Sequence, residues 1–230
     1  MSRDITVALE GATYRGSVAV LRGTEVVAER TLDDADEKPG KSQGDRMMPA
    51  VADAMKHSGV KPSDVARVVC GAGPGSFTSL RVAGSIAKGL ASGYGVDLYA
   101  VSSLLLTVAG ATRRLAPGQY VSLLNAMRGE YFALRVTVEA DGEISLVDGD
   151  AVVLLANEDI LKLADGDPAV RCIGPGQPID ETPHARGVAR LLDRILKAGP
   201  VDLASWEPDY GRLAEAQVRW EAAHGRPLSA

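Results

Sequence analysis

The sequence predicts an α/β protein, and three features indicate this fold class. The first 31 residues have the short apolar runs and the tight turn of a β-meander, with strands predicted at Ile5–Leu9, Ser17–Arg22 and Glu25–Thr31. A β-branched run, Val65–Cys70, leads into a long helical segment and then into another strand, Asp97–Val101. Strand, helix and strand at this spacing form a βαβ crossover, which requires parallel pairing. The second half then returns to strand-like patterns.

Composition places the chain among ordinary globular proteins and excludes several classes. It has 230 residues, 46% of them hydrophobic, and a formal net charge of -5. This acidic balance argues against binding of nucleic acid by this chain alone, although it does not exclude a local basic patch. Two cysteines are too few for a disulfide framework. With no signal-like segment and no long apolar stretch, we expect a cytoplasmic protein.

A methionine-rich helix is predicted over Asp45–His57. Met48, Val51, Ala52 and Met55 fall there at helical spacing on one face, and Met47 lies beside them. Methionine fills irregular cores and also recurs on adaptable binding surfaces. The stripe is therefore consistent with either internal packing or a partner surface.

The remaining elements follow from periodicity and turn signals. The predicted segments are a helix at Ser103–Leu115, strands at Tyr120–Leu124, Glu130–Glu139 and Glu143–Val147, a helix at Asn157–Ala164, a strand at Ala169–Ile173 and a helix at His184–Leu196. The tail predicts a short amphipathic helix with Leu213, Ala216 and Trp220 on one side. That helix would dock either on its own core or on a partner.

A glycine-rich loop joins the Val65–Cys70 strand to the following helix. Gly73, Gly75 and Ser76 could cradle a phosphate, because glycines let backbone N–H groups approach an anion at a helix start. The loop has no lysine at the Walker position and lacks the last glycine of the dinucleotide fingerprint. Pro74 also removes one N–H donor. The alternative is a tight turn in which Ser76 caps the helix.

The helix after this loop is unusually rich in small residues. Glycine inside a helix costs about 1 kcal/mol relative to alanine, so close approach of another backbone is expected there. The apolar contacts would come from Phe77, Leu80, Ile86 and Leu90, and the small residues between them include Ala83 and Ala87.

Catalytic signals are sparse. The three histidines, His57, His184 and His224, have no metal-ligand spacing, and Ser102-Ser103 does not lie in a nucleophile elbow. Cys70 closes an apolar run and is interpreted as an inert buried thiol.

Five segments resemble the bacterial TsaB family. They are Gly73–Val82, Ala87–Leu90, Val101–Leu104, Asn125–Tyr131 and Glu207–Arg212. Their order and spacing match over most of the chain, and the block that begins Gly-Pro-Gly-Ser-Phe-Thr is the most specific.

The resemblance implies an actin-like, chaperone-ATPase-like fold of two βββαβα lobes with the second reduced, expected at residues 1–104 and 105–230. It implies a non-catalytic subunit that binds and activates the catalytic TsaD subunit in threonylcarbamoyladenosine modification at tRNA position 37. The small ATPase TsaE would assist, tRNA would be met through the complex, and ATP and metal would be bound by partner subunits. The alternative is a small actin-fold ATPase or phosphotransferase using Glu10 and the glycine loop. A peptidase activity is not expected despite kinship with glycoprotease-like proteins.

The resemblance also implies where the partner binds. Two helical faces would meet TsaD, and the same surface could close a homodimer. The residues expected there are Met47, Met48, Val51, Met55, Phe77, Leu80, Ala83, Ala87 and Leu90. Glu10, Gly73, Gly75 and Ser76 are kept as a weaker phosphate-binding set, and no metal ligands are expected.

Overall fold

The computed structural model describes residues 4–32, 43–147, 149, 151–166, 170–211 and 224. Its strands are β1 (Ile5–Glu10), β2 (Ser17–Arg22), β3 (Glu25–Thr31), β4 (Val65–Gly71), β5 (Asp97–Val101), β6 (Gly118–Asn125), β7 (Glu130–Val138), β8 (Ile144–Leu146), β9 (Val153–Ala156) and β10 (Val170–Ile173). Its α-helices are α1 (Gln43–His57), α2 (Phe77–Tyr94), α3 (Ser103–Ala109), α4 (Asn157–Gly166) and α5 (Val188–Ala198).

The first sheet has the strand order β3-β2-β1-β4-β5. The predicted meander is confirmed, because β2 pairs antiparallel with both β1 and β3. The predicted crossover is also confirmed, because β4 runs parallel to β1 and β5. β1 is buried at every position, as expected of a central strand covered on both faces.

Helices cover this sheet on both sides. α1 and α2 pack on one face, where Val7, Val18 and Met47 share a core. α3 lies on the other face, in a second core that also contains Tyr120 and Leu134 of the second sheet. The two sheets therefore share one hydrophobic core, with α3 and α5 between them.

The second sheet repeats the plan in reduced form. Its strand order is β10-β6-β7-β8, with β9 also paired to β7. β6 pairs antiparallel with β7 and parallel with β10, as β1 does with β2 and β4. In the described part of the chain, no strand plays the role that β5 plays in the first sheet. This confirms the predicted actin-like α/β fold with a reduced second lobe. The boundary predicted at 104/105 falls inside α3 and stays a prediction.

Some predicted boundaries are wrong. The helix from Ser103 ends at Ala109 rather than Leu115, because Gly110 lies against another backbone: a Cβ there would be 2.9 Å from the carbonyl oxygen of His184. The segment predicted as a helix from His184 begins as a 3-10 turn and becomes helical at Val188. Strand β9 was not predicted. The tail helix with Trp220 lies outside the described residues.

Membrane insertion has no support in the helices. Among the residues that the structure describes, no helix is both long and apolar enough to cross a bilayer.

Candidate functional site

Glu10 ends β1 and points into the protein rather than into an open site. Its Oε1 accepts a hydrogen bond from the Ala12 N–H at 2.5 Å, and its Oε2 accepts one from the Ser103 hydroxyl at 2.9 Å. The side chain is only 1% exposed, and this burial raises the pKa of the carboxyl to about 7, while the two hydrogen bonds partly oppose the rise. Gly71 makes room for it, since a Cβ there would lie 1.9 Å from Oε2.

The glycine loop is occupied by the chain itself. Gly73 has φ +90°, and a Cβ on it would lie 2.2 Å from the carbonyl oxygen of Asp209. A Cβ on Gly75 would lie 2.4 Å from the carbonyl oxygen of Ala12. Both glycines therefore allow close approach of the protein's own backbone, a common reason for glycine in such a loop.

Two of the loop's N–H groups donate hydrogen bonds within the protein. The Gly73 N–H donates to the Ser103 hydroxyl at 3.1 Å, and the Ser76 N–H donates to the Ala12 carbonyl at 2.8 Å. Ser76 occupies the N-cap position of α2, but its side chain makes no capping hydrogen bond. The structure thus brings Glu10, Gly73, Gly75 and Ser76 together, as the phosphate-binding hypothesis requires. It engages them in internal contacts, and this hypothesis gains no support.

The methionine stripe of α1 faces inward. Met47, Val51 and Met55 are buried against the first sheet, and Met55 is 6% exposed. Met48 lies about a quarter-turn around the helix and is 44% exposed. Of this predicted set only Met48 is placed to touch a partner, because the buried three already complete the core.

The predicted contacts on α2 are also mostly internal. Its inward positions are Leu80, Ala83, Ala87 and Leu90, all buried. Phe77 is 39% exposed and packs against Tyr210, with ring centroids 4.5 Å apart. Seven of the nine predicted partner residues therefore belong to the protein's own core, and Met48 and Phe77 remain accessible.

The outer sides of α1 and α2 form a different surface. We define the α1–α2 face by Met48, Ala52, Val82, Ser85 and Gly89, which are exposed or half-buried on two adjacent helices. A Cβ on Gly89 would meet no atom within 4 Å. This face is shallow and made mainly of small side chains, so a partner helix could approach it closely.

Sequence reasoning found Met48 and Ala52 on one stripe but missed the part of this face on α2. Val82, Ser85 and Gly89 have small side chains with no chemical signal of their own. The available signal was the glycine at position 89, whose cost inside a helix needs an offsetting contact. No such contact is present within the described chain.

Neither cysteine is placed for chemistry. Cys70 and Cys172 are both buried, and burial raises the pKa of each thiol, so the thiolate is disfavoured. In the described ranges, no cluster of three histidine, cysteine or acidic side chains is arranged to hold a metal ion.

A family model describes part of this architecture. The model for TsaD, described as tRNA N6-adenosine threonylcarbamoyltransferase, matches residues 37–173, more than half of the chain. The chain belongs to this family. Within the family, the chain is similar to members named TsaB.

The relatives agree along the chain. It is 27% identical over 230 residues to TsaB of Bacillus subtilis, covering 93% of this chain and 96% of that protein. It is 34% identical over 87 residues to TsaB of Escherichia coli, covering 38% of each. Its fold is similar to that of YeaZ from Pseudomonas aeruginosa, with a TM-score of 0.70, 23% identity and coverage of 90% of this chain and 99% of that one.

Proposed function

We propose that this chain is a TsaB-type subunit for threonylcarbamoyladenosine modification at tRNA position 37, and that it binds and activates a TsaD-like catalytic subunit. The observation that carries the proposal is its similarity to a protein named TsaB over nearly the full length of both chains. The name of that relative states a role in tRNA threonylcarbamoyladenosine biosynthesis.

The geometry of the glycine loop favours a non-catalytic role for this chain. A phosphate-binding loop needs N–H groups directed at the ligand, whereas Gly73 and Ser76 direct theirs at Ser103 and Ala12. The Glu10 carboxyl is enclosed, so it would not reach a metal-bound nucleotide without rearrangement. The nucleotide chemistry would then belong to the other subunits.

The α1–α2 face supports the choice of binding surface. It offers Met48 and Gly89 to a partner without disturbing the buried stripe beneath. Small side chains on two adjacent helices allow close helix–helix packing, and a flexible methionine adapts to the opposing surface. The same face would support a homodimer when TsaD is absent.

The remaining partners follow from this role. ATP and metal would be bound by the TsaD-like and TsaE-like subunits, and tRNA would be met within the complex. The tRNA modification would take place in the cytoplasm.

Reconstitution tests the proposal. The chain, its cognate TsaD-like subunit and the remaining components are combined with tRNA, and the modified nucleoside is measured by mass spectrometry after omission of one protein at a time. We expect modification only when this chain and the TsaD-like subunit are both present. Modification by this chain with the TsaD-like subunit omitted, or full activity without this chain, would contradict the proposal.

A variant pair tests the α1–α2 face. Ala52→Arg places a long charged side chain on the face, whereas Ala151→Arg makes the same change at an exposed position in the second lobe. We expect Ala52→Arg to weaken binding to the TsaD-like subunit at least about tenfold, because the close contact would be blocked and a charge desolvated. Ala151→Arg should bind as the parent does. Equal binding by both variants would show that the α1–α2 face does not bind the TsaD-like subunit.

A further inference from the structure

A cavity of about 600 Å³ lies at the opposite end of the first sheet from the glycine loop. Thr24, in the turn between β2 and β3, forms part of its wall, and this turn lies beside the start of β1 because Arg22 pairs with Ile5. The glycine loop instead follows the end of β4. The cavity is therefore distinct from the space beside the glycine loop, although Arg194 lines both.

Four arginines line this cavity. Arg113 and Arg114 follow α3, and Arg190 and Arg194 lie one turn apart on α5. Within the described chain, none of the four forms an ion pair, although the Arg190 guanidinium donates a hydrogen bond to the Gly142 carbonyl. Unpaired guanidinium groups that converge on one cavity provide donors for an anionic ligand.

Two of these arginines lie close to the same glycine. The position of a Cβ on Gly142 would lie 3.8 Å from Nη2 of Arg190 and 3.9 Å from Nη2 of Arg114. Burial lowers the pKa of Arg190, Glu143 opposes that change, and the charge of Arg114 adds to it. Like charges held this close repel each other, and a bound anion would relieve the repulsion.

Acidic residues share the cavity wall. They are Asp141, Glu143 and Asp193. Their carboxylates would repel a long polyanion but would accept hydrogen bonds from hydroxyl or amino groups. A ligand suited to this wall has a phosphate at one end and neutral hydrogen-bond donors at the other.

We propose that this cavity binds a nucleoside phosphate, with the phosphate held by the arginines of its wall and the sugar and base donors met by the acidic side chains. A volume of about 600 Å³ is in the range of small-molecule sites. The net charge of the chain, -5, together with the acidic residues of the wall, favours a small ligand over an RNA backbone. This inference is independent of the proposed role beside TsaD.

Calorimetry with AMP tests the cavity, and adenosine is the matched compound without a phosphate. The full chain is titrated with each at low salt. We expect AMP to bind at least about tenfold more tightly than adenosine, since hydrogen bonds between charged groups are stronger than neutral ones. Equal affinities, or no binding of AMP, would overturn the proposal.

A charge-matched pair of double variants locates the binding. Arg114→Ala with Arg194→Ala removes two charges from the cavity, whereas Arg15→Ala with Lys162→Ala removes two exposed charges elsewhere. We expect the first to lose AMP affinity at least about tenfold and the second to stay within about twofold. Thermal melting of both variants confirms that they fold. If both retain parental AMP affinity, or if tRNA binds and AMP does not, the cavity is not a nucleoside phosphate site.

Discussion

The two lobes begin alike and end differently. In the first lobe the chain leaves α2 to form β5 and then α3. In the second lobe the chain leaves α5 and returns to the first lobe, where the Val201 N–H donates to the Leu98 carbonyl on β5 at 2.8 Å. Farther along, the Asp209 N–H donates to the Ala72 carbonyl at 2.7 Å. The stretch that could have supplied a counterpart of β5 instead spans the join between the lobes.

This difference explains the state of the glycine loop. The returning segment, residues 200–211, places Pro208 against Gly84 of α2 and the Asp209 carbonyl against Gly73. The Lys88 ammonium fixes the segment by donating to the Trp206 carbonyl at 2.9 Å. A two-lobed enzyme needs an open cleft at such a loop to admit its ligand. Here the returning segment narrows that space to a cavity of about 300 Å³, which is lined by Gly73, Pro74 and Asp209.

The first prediction tests whether the first lobe is complete without a partner. Met55→Asp would place an uncompensated carboxylate among buried side chains of α1 and the first sheet, and we expect it to lower the free energy of unfolding by about 4 kcal/mol or more. Met48→Asp makes the same change at an exposed position of the same helix and should cost less than about 1 kcal/mol.

Urea denaturation of the isolated chain measures both methionine variants. If Met55→Asp left the isolated chain as stable as Met48→Asp does, the inward side of α1 would be available to a partner and the lobe would be incomplete alone.

The second prediction tests the contact between the returning segment and the glycine loop. Gly73→Ala combines a positive φ with a Cβ that would overlap the Asp209 carbonyl oxygen, so we expect a loss of about 3–4 kcal/mol. Gly89→Ala is the matched change on α2, where a Cβ meets nothing within 4 Å, and it should stabilise the chain by up to about 1 kcal/mol. Thermal unfolding distinguishes them. A neutral Gly73→Ala would show that the segment is not held against the loop.

Sequence patterns were sufficient for most of the first lobe and insufficient for the helix faces. β1 to β5 were located because β-branched runs and turn residues act locally. The predicted stripe of α1 joined Met48 and Ala52 to Val51 and Met55, but the structure exposes the first two and buries Met47. The adjacent Met47 and Met48 make two faces of the helix similarly apolar. Only packing against the sheet selects Met47 for the core.

The candidate sites depend on contacts between distant parts of the chain. Glu10 contacts Ser103, which is 93 positions away in the sequence. In the arginine cavity, Arg114 and Arg190 both lie near Gly142. No local pattern encodes such a meeting. The pair Arg113-Arg114 and the spacing of Arg190 and Arg194 were visible in the sequence, but their convergence appears only in the fold.

The third prediction tests the burial of the Glu10 carboxyl through the pH dependence of stability. Because the folded protein raises the pKa of Glu10 from 4.5 to about 7, the folded state binds more protons than the unfolded state between these values. Stability from this group is present below pH 4.5 and is lost as the pH rises through 7. The loss is on the order of 3 kcal/mol for a shift of this size. Glu10→Gln should abolish it, as measured by urea denaturation at pH 5 and pH 8.

The stability contributed by His184 changes with pH in the opposite direction, so the two contributions must be distinguished. Its Nδ1 accepts from the Arg186 N–H at 3.1 Å, so the neutral ring carries its proton on Nε2, 3.2 Å from the Thr31 hydroxyl. Burial first, and then the charge of Arg186, lower its pKa to about 4, so its stabilisation is present above pH 6.5 and is lost as the pH falls toward 4. The Glu10→Gln variant should therefore become more stable from pH 4 to 6.5 with no decline by pH 8. A decline that persists in the variant would mean that the Glu10 carboxyl is not enclosed in solution.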